Sequence, residues 1–266
     1  MYKMDGEKDL QLLEKRFEEL SRIAYQRDII TFTDFLNLNE QNILHTLPKD
    51  RLFTRISSFG GYGMAERQMA AFIPDALYLR YGKSEITPAE AGYPFCAVKI
   101  MPLSRKFSED LTHRDYLGAV LNLGIERSKT GDILPYGNDA LIFVHQDMTE
   151  LICSELIRVR HTSVRAEIVS LTEIDYTPKY EEIRGTVASV RLDSLLSVAF
   201  SSSRTKLTGL IECARVYVNG RLVTSNGYQP CEGDVISVRG MGKFRYESQG
   251  AVTKKKRISV VVHRYV

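Results

Sequence analysis

Cationic side chains crowd the last third of this 266-residue chain. Residues 185–266 hold 13 Lys and Arg against 5 Asp and Glu, a balance of +8, whereas residues 1–184 hold 23 against 28, a balance of −5. Such asymmetry marks a polyanion-binding segment on a more neutral body, because each phosphate neutralised by a Lys or Arg releases condensed counterions. Arg191, Arg204, Lys206, Arg215, Arg221, Arg239, Lys243 and Arg245 are the candidate phosphate contacts, with Ser203 and Asn219 as polar neighbours. Arg204 follows Ser201-Ser202-Ser203 at the expected start of a helix. Free N–H groups and the positive dipole end favour an anion there, and a guanidinium adds a bidentate donor. Lys206 lies on the next face, Arg215 at the helix end, and two hairpins bring Arg221 and Arg239 near, so a single cationic surface is expected. The run Lys254-Lys255-Lys256-Arg257 suits RNA contact and a solvated loop equally. Tyr217 and Tyr246 read as hairpin packing rather than as stacking platforms.

Other constellations lead to enzyme chemistry that fails on spacing. His113-Arg114-Asp115 and Ala97-Val98-Lys99 hold the residue types of a protein-kinase site. Only 14 positions separate Lys99 from His113, Val120 stands where a metal-binding Asn belongs, and Asp-Phe-Gly is absent. His113 and Asp115 are therefore expected to open a helix and hydrogen-bond locally, with His113 and Arg114 kept as candidate RNA contacts. Gly60–Gly63 lacks the Gly-Lys-Ser/Thr of a phosphate loop, and Gly240-Met241-Gly242 precedes no helical pattern. Cys96, Cys153, Cys213 and Cys231 lie far apart without His partners, which disfavours zinc and disulfides. No catalytic set, metal or cofactor is expected. The apolar stretches fall far short of the ~20 residues of a membrane span, and Met1–Leu10 lacks a signal-peptide core, so the expectation is a cytoplasmic protein.

The elements that carry these residues follow from hydrophobic period. Leu10, Leu13, Phe17, Leu20 and Ala24 form one amphipathic helical stripe, followed by a short helix near Glu40–Leu47, a strand near Arg51–Ile56 and a glycine loop after Phe59. From 84 to 171 the order is strand (Phe95–Met101), helix (Arg114–Leu123), strand (Asp132–Tyr136), strand (Ala140–Val144), helix (Asp147–Val159), strand (Val164–Ser170). That β-α-β-β-α-β order predicts a ferredoxin-like domain, with Phe95 and Phe143 in its core. After a connector at 172–184, Leu192, Leu195, Leu196, Ala199 and then Leu207, Leu210, Ile211, Ala214 predict two short helices, capped by Asp193 and by Ser202 or Ser203. Val216–Val218 before Asn219-Gly220, and Glu232-Gly233-Asp234 before Val235–Arg239, predict tight hairpins. The fold class is α+β: a mainly helical part at 1–83, a ferredoxin-like part at 84–171 and a hairpin-rich basic part at 185–266.

Arg191-Leu192-Asp193, Ser203-Arg204, Leu210-Ile211, Val216-x-Val218-Asn219-Gly220, Gly233-Asp234-x-Ile236 and Val238-Arg239 resemble the S4 RNA-binding domain, an αL-type fold. The pattern departs at Ala214, where the family often has glycine, and at Ser225, where lysine is common. Thr33-Asp34-Phe35-Leu36, Phe59-Gly60-Gly61-Tyr62 with Ala65-Glu66-Arg67, His113-Arg114-Asp115-Tyr116-Leu117-Gly118, Gly131-Asp132-Ile133-Leu134 and Arg239-Gly240-x-Gly242-Lys243-Phe244 extend the resemblance, from about residue 33 to 245, to the YlmH-type S4 proteins. It implies a three-part, non-enzymatic RNA-binding protein acting on the large ribosomal subunit in nascent-chain quality control, often encoded near cell-division genes, with an RNA-binding middle domain. Expected partners are the large subunit, its rRNA and peptidyl-tRNA; the target is structured rRNA or tRNA, and the chain is expected to be monomeric. Two alternatives stand beside it. One is an S4-bearing RNA-modifying enzyme of the pseudouridine-synthase kind, although Arg191-Leu192-Asp193 has no Thr-Ser-Gly-like continuation. The other is a scaffold for division or ribosome assembly that uses the N-terminal helix.

Overall fold

The computed structural model describes residues 6–171, 179–253 and 256–265; the Arg204 side chain, residues 172–178 of the expected connector, and Lys254 and Lys255 lie outside the described set. The chain divides into two compact units, Met1–Asp175 and Tyr176–Val266.

The first unit opens with α1 (Gly6–Arg27), whose stripe of Phe17, Leu20 and Ala24 is buried as the helical period predicts. Next come β1 (Thr31–Phe32) and α2 (Leu38–Thr46), the latter closed by an Asn37–Glu40 capping box. Then follow β2 (Arg55–Phe59), β3 (Met69–Ile73), α3 (Asp75–Tyr81) and α4 (Pro88–Ala91). The three strands form an antiparallel sheet in the order β1-β3-β2. The strand expected at Arg51–Ile56 begins later, because Lys49–Arg51 winds into a 3₁₀ turn. Strand β3 is buried at every residue, so it carries no alternation for a period-two reading to detect.

The remainder of this unit is β4 (Phe95–Pro102), α5 (His113–Asn122), β5 (Thr130–Tyr136), β6 (Asp139–His145), α6 (Thr149–Glu155), β7 (Arg158–Val159) and β8 (Thr162–Val169). Its antiparallel sheet runs β5-β6-β4-β8-β7, which is the ferredoxin-like strand order with a two-residue edge strand added. One face packs Val98, Ile100, Ile142 and Val144 against Tyr116, Val120 and Ile152 of the helices. The helix expected to reach Val159 stops at Glu155, since Val159 is buried within a β7–β8 hairpin instead.

The second unit contains β9 (Tyr180–Val187), α7 (Leu192–Phe200), α8 (Arg204–Glu212), β10 (Val216–Val218), β11 (Arg221–Leu222), β12 (Val235–Val238), β13 (Gly242–Val252) and β14 (Ile258–Tyr265). They build a six-stranded sheet in the order β11-β10-β12-β13-β14-β9. Residues 180–184, read from sequence as connector, are strand: β9 pairs with β14 from Tyr180 opposite Tyr265 to Val187 opposite Ile258. Its inward row is Ile183, Gly185 and Val187, and the glycine blanks the middle of the alternation. A Cβ at Gly185 would lie 2.8 Å from both Val198 methyls, so α7 and β9 approach too closely for a side chain. Val216, Val218, Ile236, Val238, Phe244, Tyr246, Val260 and Val262 form the core with the leucines of α7 and α8.

Candidate nucleic-acid interface

Two hairpins shape the C-terminal site, and one side-chain pair locks them together. Asn219 adopts a left-handed conformation (φ 47°) in the Asn-Gly turn. Its Nδ2 donates to Asp234 Oδ1 at 2.7 Å, while its Oδ1 accepts from the Val235 N–H at 2.9 Å. Asp234 also accepts from the Cys231 N–H at 2.8 Å. Asn219, a candidate RNA contact by sequence, thus uses its amide within the turn. The helix caps differ from expectation too. Arg191 occupies the N-cap of α7 and Ser203 that of α8, and neither side chain caps its helix. Asp193 sits inside the first turn, nearly buried, with Arg191 Nε 3.4 Å from its carboxylate. Helix α8 ends through Ala214, held at φ 56°, which lets the Arg215 N–H reach the Leu210 carbonyl at 3.0 Å.

The sheet register sorts the cations into two groups. Directly opposed residues of an antiparallel pair share a face, and neighbours along a strand alternate. Val216 pairs with Val238 on the helix-covered face, so Arg215 and Arg239, one step outward on each strand, lie together on the open face. Their main chains are joined by the Arg239 N–H to Arg215 C=O bond at 2.9 Å. Ser237 opposite Lys243, and Val235 opposite Arg245, continue that face onto β13. The Arg239 guanidinium covers the Tyr217 ring at 5.3 Å, and Tyr217 is buried beneath it rather than presented to a base. Arg245 pairs with Glu247. Arg221, opposite Val218, lies on the helix side at the sheet edge, and Lys206 is exposed on α8. The sequence expectation of one surface becomes an open-face group (Arg215, Arg239, Lys243, Arg245) and a helix-side group (Lys206, Arg221). Among the described residues, the side chains of Lys206, Arg215 and Arg221 make no hydrogen bond or ion pair and are exposed. Exposed cations without acidic partners are what a phosphate backbone engages at least desolvation cost.

Comparison with known proteins follows the same division. Residues 190–236 match the S4 domain family, and residues 88–173 match the family described as "Putative RNA-binding domain in YlmH". A relative from Bacillus subtilis (strain 168), "Ribosome-associated protein quality control protein P2", is 30% identical over 247 residues, which is 92% of this chain and 91% of the relative. The chain belongs to the YlmH-type S4 family. The solved structure of "Cell division protein ylmH from Streptococcus pneumoniae" is 26% identical and aligns with a TM-score of 0.48, covering 65% of this chain and 98% of that one. Among the described residues no helix is long and apolar enough to cross a membrane, and no group of three or more His, Cys, Asp and Glu is placed to hold a metal. All four cysteines are free thiols.

The remaining YlmH-type motifs acquire structural roles in the first unit. A register shift between Thr130 and Ile133 turns Asp132 out of the regular β5 ladder. Its carboxylate accepts from Tyr62 Oη at 2.7 Å and from the Glu66 and Arg67 N–H groups at 2.8 and 3.0 Å. Arg67 in turn donates to the carbonyls of Thr130, Phe35 and Arg127 at 2.9, 2.7 and 3.1 Å. Arg127 donates to Thr130 and Gly131, and burial beside Arg67 draws its guanidinium down to about 10. The glycine loop is a packing device rather than a phosphate cradle. A Cβ at Gly61, itself at φ 99°, would lie 2.2 Å from the Phe143 ring, and one at Gly60 would lie 2.3 Å from the Arg67 carbonyl. Phe95 and Phe143 are buried among Phe35, Phe59 and Tyr62, so this part of the helix-free face of the middle sheet offers no aromatic platform. The sequence carries no local signal of this cluster, because Asp132 and its partners Tyr62, Glu66 and Arg67 stand 65 to 70 residues apart.

His113 and Arg114 are exposed on the first turn of α5. Partial desolvation, then Arg127 and Arg114, push the His113 ring below the usual histidine range, against an opposing pull from Asp132. Asp115 makes the local contacts expected of it, accepting from the Thr112 N–H at 2.8 Å and the Thr112 hydroxyl at 2.7 Å.

Proposed function

We propose that this chain docks on structured rRNA of the large ribosomal subunit, with peptidyl-tRNA within reach, and serves nascent-chain quality control without performing bond chemistry. The observation that carries the reading is the set of exposed cations Lys206, Arg215 and Arg221, which make no hydrogen bond or ion pair among the described residues, on a domain of the S4 family. Arg239 lies beside Arg215 in the open-face group, and Arg204 is the first residue of α8. Phosphates seat against these groups through charge and geometry, and helical RNA is read by shape and 2′-hydroxyls. The name of the Bacillus relative supports the ribosomal setting. The first unit adds contacts that fix where on the particle a monomeric chain sits.

The test is co-sedimentation with large subunits across a salt series. About four phosphate contacts give a log–log salt slope near −3. The double variant Lys206→Glu/Arg215→Glu is expected to leave the subunit pellet while keeping the wild-type circular dichroism. Retention at wild-type salt dependence would refute the assignment of this surface. Nucleotides in the bound rRNA are expected to stay unmodified by mass spectrometry after incubation, and a new modification would establish the enzyme alternative.

A further inference from the structure

The motif His113–Gly118 ends in a residue that neither packing nor backbone geometry explains. Gly118 lies in the interior of α5, where glycine costs about 1 kcal/mol relative to alanine. A Cβ built there meets nothing within 4 Å, so no neighbour excludes a side chain. Arg114, Gly118 and Asn122 follow one another at four-residue steps and therefore form a single line along the helix. That line is one wall of an open cleft of about 510 Å³, whose opposite wall is Glu155–Arg158 with Arg160. Arg114 and Arg158 are exposed and, among the described residues, make no hydrogen bond or ion pair. Arg160, in the β7–β8 turn at φ 51°, lines the cleft and lies 3.6 Å from Asp115.

We propose that this cleft is a second RNA-binding site, which seats a sugar–phosphate backbone against the bare surface at Gly118. Arg114 and Arg158 grip phosphates from the two walls, and the Asn122 amide lies at the far end of the same line for a ribose hydroxyl. Glycine is the residue that lets another backbone approach a helix most closely, which gives the position a use that offsets its cost in helix stability. The open shape suits a polymer passing through rather than an enclosed small molecule, and Arg114, Arg158 and Arg160 outnumber the two acids of the lining, Asp115 and Glu155, so the balance of charge favours an anion. The choice of RNA as the polymer rests on the function proposed above; the cleft itself rests on the geometry of the first unit.

The experiment uses the full chain with a labelled RNA hairpin, read by fluorescence anisotropy over a salt series. Gly118→Ala is expected to raise the thermal midpoint, as helix propensity requires, while weakening binding several-fold. Stability rising and affinity falling together is a signature that a merely structural glycine does not give. Arg114→Gln/Arg158→Gln, which removes two phosphate contacts and, among the described residues, no hydrogen bond or ion pair, is expected to make the salt slope shallower by about 1.5 and to cost roughly tenfold in affinity at 0.1 M salt. Ultraviolet crosslinks are expected on peptides spanning 113–122 and 155–160. Wild-type affinity and slope in both variants would overturn the cleft site; if Lys206→Glu/Arg215→Glu weakens binding in the same assay, the function proposed above survives that failure. Displacement of RNA from the cleft by ATP at equal phosphate concentration would also overturn it, since a nucleotide pocket would then account for the arginines.

Discussion

Replacing Asp132 by alanine tests whether the YlmH-type motifs of the first unit form one cooperative clamp. The carboxylate is 8% exposed and takes three hydrogen bonds, from Tyr62 Oη and from the Glu66 and Arg67 N–H groups. Half-buried Tyr62 can turn its hydroxyl to water, so its loss costs little. The two main-chain donors lose their carboxylate acceptor and bear the desolvation of an unmade bond, about 1–3 kcal/mol each. Removal of the charge also leaves Arg67 and Arg127 facing one another without the carboxylate that offsets their repulsion. The sum is about 3–5 kcal/mol for Asp132→Ala. Asp132→Asn retains one acceptor oxygen and the shape, and is expected to cost about half as much. Urea unfolding read by circular dichroism measures both, since the chain has no Trp to report. Hydrogen exchange at 60–73 assigns the loss to the first unit. A cost under about 1 kcal/mol for the alanine variant, or an asparagine variant worse than alanine, would refute the clamp.

Three further outcomes follow from single positions. Ala214→Gly is expected to stabilise the second unit by about 0.5–1 kcal/mol, because an L-residue in the left-handed region costs more than the extra unfolded-state entropy of glycine; the urea midpoint measures it. Gly61→Ala is expected to destabilise by more than 3 kcal/mol or to prevent folding, through collision with the Phe143 ring and strain at positive φ, and expression of folded protein reports it. His113 titrates below its ordinary value of about 6.5, so the unfolded chain binds the proton first and stability falls as pH drops through that value. His113→Asn is expected to flatten this part of the acid limb in thermal melts between pH 7 and 5, and an unchanged limb would refute it.

The sequence by itself determined the elements whose signals are local. The helical stripe from Leu10 to Ala24, the alternation of strands and helices from Phe95 to Val169, and the Asn219-Gly220 and Gly233-Asp234 turns are each written within a few residues, because helix period and turn chemistry are short-range properties. The concentration of cations after residue 185 and the matching motif spacings likewise needed no coordinates. Tertiary structure decided what depends on distant partners. Strand β9 was hidden because Gly185 interrupts its alternation and its ladder forms with β14, more than 70 residues away. Asp132 reads as an ordinary acid until Tyr62, Glu66 and Arg67 converge on it. The cationic residues could be counted from the sequence, but only strand register shows that Arg215 and Arg239 share the open face while Arg221 lies on the helix side. A side chain's face is set by pairing across the sheet, and pairing joins residues that the linear order keeps apart.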